Sequence, residues 1–186
     1  MPVNAPDRAP AAPPAWRYAS PAVALHWLMA VLVAAQATLG LYMMSIEDEP
    51  GAGRYFGLHM SIGLVVFVLV LGRLAWRLNH RPARLPASMP GWEVATALTV
   101  HWLMYACMIL LPVTGFLGAS YSKSGVVFFG LHVPAWRVPD HDTSELFFGI
   151  HQTIVWIFVA LIAVHSLAAF KHLLVDKDRV FQRMWP

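Results

Sequence analysis

Four long apolar segments, separated by short polar stretches, dominate the pattern of the chain. They cover approximately residues 21–44, 56–78, 94–119 and 146–171. Each is long enough to cross the roughly 30 Å hydrocarbon core of a bilayer as an α-helix, which needs about 20 residues. The first is too long for the apolar part of a signal peptide, so it is interpreted as a span. The pattern predicts an all-α integral membrane protein, a four-helix bundle with cofactors between facing helices.

The composition agrees with a membrane protein. Hydrophobic residues make up 58% of the chain and charged residues 12%, against about 25% charged in soluble domains. Residues 1–15 are rich in proline and alanine and are predicted to be a disordered tail, whereas residues 16–186 form the four-span domain. Cys107 is the single cysteine, which excludes disulfides, iron–sulfur clusters and covalent C-x-x-C-H haem attachment.

Basic residues are distributed unequally between the two ends of the predicted spans. Ten lie at one end: Arg8, Arg17, Arg73, Arg77, Arg81, Arg84, Lys171, Lys177, Arg179 and Arg183. Three lie at the other end: Arg54, Lys123 and Arg137. Because cytoplasmic segments carry the basic excess, both termini are predicted to be cytoplasmic, with outward loops at residues 45–55 and 120–145. The net charge of +3 is therefore a topology signal, and we predict no nucleic acid binding.

The fourth segment carries a histidine near each end, His151 and His165. Fourteen residues are about four helical turns less 40°, so the two side chains share one face about 21 Å apart. That separation places one histidine near each leaflet. The spacing suits two stacked haems, each bound by one imidazole of this helix.

The first two segments each offer a further histidine at a matching depth. His26 lies near the inner end of the first span, level with His165. His59 lies near the outer end of the second span, level with His151. A single histidine in a membrane helix is often a hydrogen-bonding residue, but two level pairs favour metal ligation. Zinc is a weaker interpretation, because its sites gather three or four ligands at one point.

Other residues at these depths extend the pattern. Gly40 and Gly115 lie fourteen residues after His26 and His101, where a missing side chain permits close approach to a flat ring. Arg73 and Arg77, at the inner membrane edge, are candidates to pair with haem propionates. His101 lies near the depth of the inner pair and is a candidate replacement ligand, propionate partner or quinone contact.

Several motifs resemble the prokaryotic cytochrome b561 family. The runs YASPAVALHWLMA, GLHMSIG, HWLMYACMILLPVTG and GIHQTIVW followed by VHSLAAFKH carry the resemblance, which covers residues 16–180. It implies a bacterial inner-membrane protein with two b-type haems, for which His26, His59, His151 and His165 are the ligands. The outward run FGLHVP is also typical of the family.

Stand-alone members of the family resemble a superoxide oxidase, which takes electrons from superoxide at the outer face and passes them to ubiquinone. In that interpretation Lys123, with Arg54 and Arg137, attracts the anion. The acidic residues Glu47 to Glu49 oppose such a field. His101, Arg77 and Ser20 are candidates to line a quinone site.

Two alternatives remain open. The chain is also consistent with an electron-relay subunit for a dehydrogenase, a hydrogenase or a periplasmic haem protein, in which the long outward loop would dock the partner. A transporter or proton pathway that uses buried histidines is a weaker alternative, because the spans lack the membrane-embedded acids and broken helices typical of such proteins.

Overall fold

The computed structural model describes residues 16–80, 85–86 and 89–186. The predicted disordered tail and three of the inner basic residues, Arg8, Arg81 and Arg84, lie outside these residues. Four α-helices account for most of the described chain: α1 (Ser20–Ser45), α2 (Gly53–Asn79), α3 (Gly91–Tyr121) and α4 (His141–Lys171). A short hairpin joins α3 to α4, with strands β1 (Val127–Phe128) and β2 (Leu131–His132).

The fold class predicted from the apolar pattern is confirmed. All four helices are long and apolar enough to cross a membrane, and each contains the whole of its predicted segment. They extend past the predicted limits by up to five residues, most at the start of α4. This extension is polar, and Asp140 caps it by accepting a 2.8 Å hydrogen bond from the Thr143 N–H, which lowers the pKa of the Asp140 carboxyl.

The helices pack in chain order, with the most extensive contact between α3 and α4. Gly118 allows this approach, because a Cβ there would lie 2.7 Å from the ring of Phe148. The Ser144 hydroxyl donates a 2.9 Å hydrogen bond to the Gly118 carbonyl at the same crossing. In lipid the hydrophobic effect does not drive helices to associate, so close packing at small residues and interhelical hydrogen bonds hold them together.

Large apolar side chains cover the outside of the bundle. Every helix has exposed apolar side chains, among them Val31, Val68, Trp102 and Trp156. In the described part of the chain, Val70 and Ser61 are fully buried. An apolar exterior of this kind is stable in lipid, where the backbone groups are satisfied within each helix.

The β-hairpin is fastened to α2 by Ser61. Its two-residue turn uses Phe129 and Gly130 with φ of 45° and 84°, the left-handed pair typical of a tight hairpin. The Ser61 hydroxyl accepts a 2.7 Å bond from the Phe129 N–H and donates a 2.6 Å bond to the Gly57 carbonyl. Gly57 leaves room for Val127, which would lie 3.4 Å from a Cβ. The hairpin is therefore held against α2 within one turn of His59.

Residues 16–18 and residues 181–185 meet in a contact that we call the terminal clasp. The Arg183 Nε donates a 3.0 Å hydrogen bond to the Trp16 carbonyl, and the Tyr18 N–H donates a 3.3 Å bond to the Arg183 carbonyl. The indole of Trp27 donates a 2.7 Å bond to the Met184 carbonyl. Since Trp27 follows His26, the clasp lies against the first turns of α1 beside that histidine.

The hairpin anchor yields a prediction about local stability. Ser61→Ala removes a fully buried hydroxyl and leaves the Phe129 N–H without its acceptor, a loss of about 1–3 kcal/mol. We expect faster amide exchange at Phe129 and little change in the ends of α1. The control is Ser45→Ala, because Ser45 bonds only to the Tyr42 carbonyl in its own exposed turn. Unchanged exchange in the hairpin of Ser61→Ala would contradict this role.

Candidate functional site

His59 on α2 and His151 on α4 face each other near the hairpin end of the bundle. Their ring centres are 6.3 Å apart and their planes cross at 78°. Both side chains are half-buried. The structure thus brings together the two histidines predicted as the outer pair.

The orientation of His151 is fixed by α3. Its Nδ1 lies 2.9 Å from the Leu111 carbonyl oxygen and 3.3 Å from the Thr114 hydroxyl. A carbonyl only accepts, so Nδ1 carries the proton and Nε2 keeps a free lone pair. That is the tautomer that a metal-binding histidine requires.

Glycine 115 makes this contact possible. It lies one turn beyond Leu111, and a Cβ there would be 3.3 Å from both Cε1 and Nδ1 of His151. A contact at that distance is tighter than ordinary van der Waals packing, and the ring cannot withdraw without lengthening its bond to Leu111. The absence of a side chain at residue 115 therefore sets the position of the imidazole.

His59 packs in the same way against α1. A Cβ at Gly40 would lie 3.3 Å from Cε1 and 3.7 Å from Nδ1 of His59. The Gln36 amide, one turn earlier, donates a 2.9 Å hydrogen bond to the His59 carbonyl. Among the described residues, the buried His59 Nδ1 has no hydrogen-bond partner. The two outer imidazoles consequently differ in how firmly their rings are held.

Three histidines gather at the other end of the bundle. The ring centres of His26 and His165 are 6.2 Å apart with planes at 68°. His101 is closer to His165, with ring centres 5.3 Å apart. All three are half-buried, so the structure brings the predicted inner pair together and adds His101 beside it.

The predicted basic residues lie against this inner group. Arg73 donates a 3.0 Å hydrogen bond to the Ala22 carbonyl, and its other terminal nitrogen lies 3.4 Å from Nδ1 of His26. Arg77 lies over the rings of Trp102 and Tyr105, at 5.4 and 5.5 Å from their centres. Arg73 therefore contacts His26 directly, whereas Arg77 lies against aromatic neighbours on α3.

The ring separations test whether a metal with two imidazole ligands fits. A metal–imidazole bond is about 2.0 Å long and the nitrogen lies about 1.1 Å from the ring centre, so two opposed ligands have ring centres about 6.2 Å apart. The pairs His59–His151 and His26–His165 match this separation. His101–His165 is about 1 Å too short. The residues fit a bis-imidazole iron at each end of the bundle.

The three cations that were predicted to face outward are all exposed but lie on separate elements. Arg54 lies over the ring of Tyr55 and donates a 2.9 Å bond to its hydroxyl. Arg137 lies 4.3 Å from the ring centre of Trp136. Lys123 lies in the turn after α3 and forms no ion pair within the described part of the chain. The structure does not gather these cations into one cluster.

Two further polar residues border the inner end. Ser20 begins α1 and is exposed. His172 follows α4 in a short π-helical turn, with its Nδ1 2.7 Å from Asp178 and 3.2 Å from Asp176. Lys171 joins Asp176 to Glu93 of α3 through contacts of 2.6 and 2.9 Å. Because its ammonium lies between these carboxylates, the group is an ion-pair network.

Three contacts at the site were not predicted from the sequence. They are the Leu111 carbonyl and Thr114 hydroxyl at His151, the Gln36 amide at His59, and the Ser61 anchor of the hairpin. Leu111, Thr114 and Gly115 belong to the L-P-V-T-G sequence at the end of the third motif quoted above. The motif marked these residues as notable, but it did not indicate that they contact His151.

Comparisons with known proteins agree with this geometry. Cytochrome b561 homolog 2 of Escherichia coli (strain K12) is 28% identical over 90% of this chain and 90% of its own. Cytochrome b561 homolog 1 of the same strain is 27% identical over 91% of this chain and 97% of its own. "Probable superoxide oxidase CybB" of Yersinia pestis is 28% identical over 91% and 96%.

A bundle of four membrane-length helices in which imidazoles face one another in pairs is the architecture of a membrane-bound b-type cytochrome. The family described as prokaryotic cytochrome b561 matches residues 17–186, and the chain belongs to it. The family carries haem b and functions in electron transfer.

The clearance at Gly115 yields a prediction for haem binding. Gly115→Ala should displace His151 from the Leu111 carbonyl and lower the haem bound per chain, as measured by pyridine haemochrome assay. The thermal unfolding midpoint should fall with it. Gly149→Ala is the matched control on α4, since nothing lies within 4 Å of a Cβ there and alanine stabilises a helix by about 0.5–1 kcal/mol. Equal haem content in both variants would contradict the role assigned to Gly115.

Proposed function

We propose that this protein oxidises superoxide at the outer membrane face and reduces ubiquinone within the membrane. The overall reaction joins two superoxide anions, one ubiquinone and two protons to give two molecules of oxygen and one ubiquinol. Each superoxide gives up one electron and no proton, so both protons come from water. The observation that carries the proposal is the presence of two facing histidine pairs with matching ring separations.

In this proposal the chain binds two haem b groups. His59 and His151 hold one, and His26 and His165 hold the other. Haem b, when bound, supplies an iron that gains and loses one electron. The Leu111 carbonyl keeps the His151 Nδ1 protonated, so that Nε2 remains available as a ligand.

The hairpin and the backbones of two helices pack around the outer site. Ser61 holds the hairpin to α2 beside His59, and Val126 of the same segment is buried. The walls on either side are the backbones of α1 and α3 at Gly40 and Gly115. A site packed in this manner has little room to reorganise when its charge changes, which favours electron transfer.

The inner site is assigned the quinone. Arg73 contacts His26 and is placed to pair with haem propionates, and Arg77 lies one turn further along α2. His101 is too near His165 to share its metal, which favours a role beside the site as a hydrogen-bonding partner for propionate or quinone. Ser20, exposed at the start of α1, is a second polar candidate.

The outer cations are assigned to superoxide attraction. Lys123, Arg137 and Arg54 are exposed, so their charge reaches the water through which the anion diffuses. Because they sit on separate elements, we assign them a diffuse field rather than a binding pocket. The acidic residues Glu47 to Glu49 lie at the same end and weaken that field.

The proposed topology places both termini in the cytoplasm of a bacterium and the hairpin outside the inner membrane. The unequal distribution of basic residues supports this orientation. The name of the Yersinia pestis relative supports the superoxide reaction, and its coverage of 91% of this chain extends over all four helices.

A second candidate is an electron-relay subunit that serves a dehydrogenase, a hydrogenase or a periplasmic haem protein. The outward segment favours it, because Leu131, Val138 and Phe129 are exposed there at 72%, 83% and 58%. Apolar side chains in an extramembrane loop are typical of a surface that meets lipid or a partner.

The ligand assignment predicts the number of haems that each histidine variant binds. His59→Ala and His151→Ala should each leave one haem per chain instead of two, because one axial ligand of the outer site is lost. His101→Ala should retain two. The measurement is a pyridine haemochrome assay on purified protein, with low-temperature optical spectra to identify the haem that remains. Loss of a full haem from the His101 variant would overturn the pairing.

The superoxide reaction is tested by mixing oxidised protein with superoxide and following haem reduction, then ubiquinol formation. Lys123→Gln should slow the first phase several-fold and reduce its salt dependence, because part of the attracting field is lost. Lys177→Gln is the control, since Lys177 lies at the other end of the bundle. Two haems that dithionite reduces and superoxide does not would favour the electron-relay subunit.

A further inference from the structure

A pocket lies beside the terminal clasp, apart from the histidines. It has a volume of about 260 Å³ and is lined by Trp16, Pro86, Asp178, Arg179 and Arg183. It opens beside the terminal clasp, between Trp16 and the segment that follows α4. Neither the haem ligands nor the outer cations contribute to it.

Arg183 is an unusual residue to find in such a place. Its side chain and backbone together are only 4% exposed. Nε donates to the Trp16 carbonyl, and the guanidinium carbon lies 5.6 Å from the centre of the Tyr18 ring. Nη2 is buried and, within residues 16–80, 85–86 and 89–186, has no hydrogen-bond partner. A buried guanidinium with an unpartnered nitrogen is costly, and Arg183 is one of the residues that line the pocket.

Asp178 does not supply that anion. One of its carboxylate oxygens accepts a 3.0 Å bond from the Val180 N–H, and the other lies 2.7 Å from His172 Nδ1. Neither Arg183 nor Arg179 is ion-paired with a carboxylate of the described residues. The pocket is thus lined by two guanidinium groups and one carboxylate, and that carboxylate already contacts His172 and the Val180 N–H.

We propose that this pocket binds a phosphate group, held by Arg183 and Arg179. The planar fork of donors on a guanidinium matches the oxygens of phosphate, and a second arginine supplies the remaining charge. The source is either a phospholipid headgroup or free phosphate. Trp16 and Trp185 are exposed at 54% and 52% at this end, as is typical of side chains at the lipid headgroup level, which favours the lipid.

The experiment uses the full-length haem-loaded protein in a neutral detergent. Its thermal unfolding midpoint is measured against rising concentrations of dihexanoylphosphatidylglycerol, inorganic phosphate and dihexanoylglycerol, which lacks the phosphate. A ligand that binds the folded state raises the midpoint with concentration. A rise with the phospholipid alone identifies a headgroup site, and an equal rise with phosphate identifies a free-anion site.

The variants decide whether the pocket is responsible. Arg179→Gln should weaken the apparent affinity by about tenfold, since a charged hydrogen bond is lost, and it leaves the clasp untouched because Arg179 is exposed and makes none of its bonds. Arg183→Gln should weaken it further. Lys177→Gln is the control, being a cation of the same segment that does not line the pocket.

Three results would overturn the proposal. They are no rise with either phosphate compound, an equal rise with dihexanoylglycerol, or an affinity unchanged in Arg179→Gln relative to Lys177→Gln. Because the readout is unfolding rather than electron transfer, the proposal stands or falls independently of the superoxide reaction.

Discussion

The free-energy cost of an imidazole inside a membrane falls with each partner that its ring nitrogens find, and these partners organise the bundle. Lipid offers no hydrogen bonds, so a polar group gains its partners only from the protein or its cofactor. His151 satisfies Nδ1 at the Leu111 carbonyl, which leaves Nε2 for a metal. The pairing of histidines at ring separations of 6.2 and 6.3 Å is the arrangement in which one metal serves two such nitrogens.

Helices α1 and α3 each contribute a histidine to one site and a glycine to the other. On α1, His26 belongs to the inner pair, and Gly40, fourteen residues later, clears the ring of His59 in the outer pair. On α3, His101 lies at the inner group and Gly115 clears His151. Because fourteen residues return to the same face of a helix about 21 Å away, one spacing provides a polar group at one site and room at the other.

The sequence predicted the four helices and the histidine sets that the structure brings together, because both depend on periodicity and length. It did not predict the Leu111–His151 bond, since every residue carries a carbonyl and only tertiary packing selects one. The Ser61 anchor and the clasp at Arg183 were missed for a similar reason: each joins segments more than sixty residues apart. Gly40 and Gly115 were singled out by spacing, but the imidazoles they face came from the structure.

The two histidine pairs lie in surroundings of different charge. The outer imidazoles contact a carbonyl, a hydroxyl and glycine backbone, all uncharged. The inner group has the Arg73 guanidinium at 3.4 Å from His26, at the end of the bundle where basic residues are concentrated. A positive charge that offsets a nearby anion, such as a haem propionate, favours an added electron beside it in low dielectric. Under the proposed function, the asymmetry that orients the chain in the membrane therefore also favours electron movement from the outer site to the inner one.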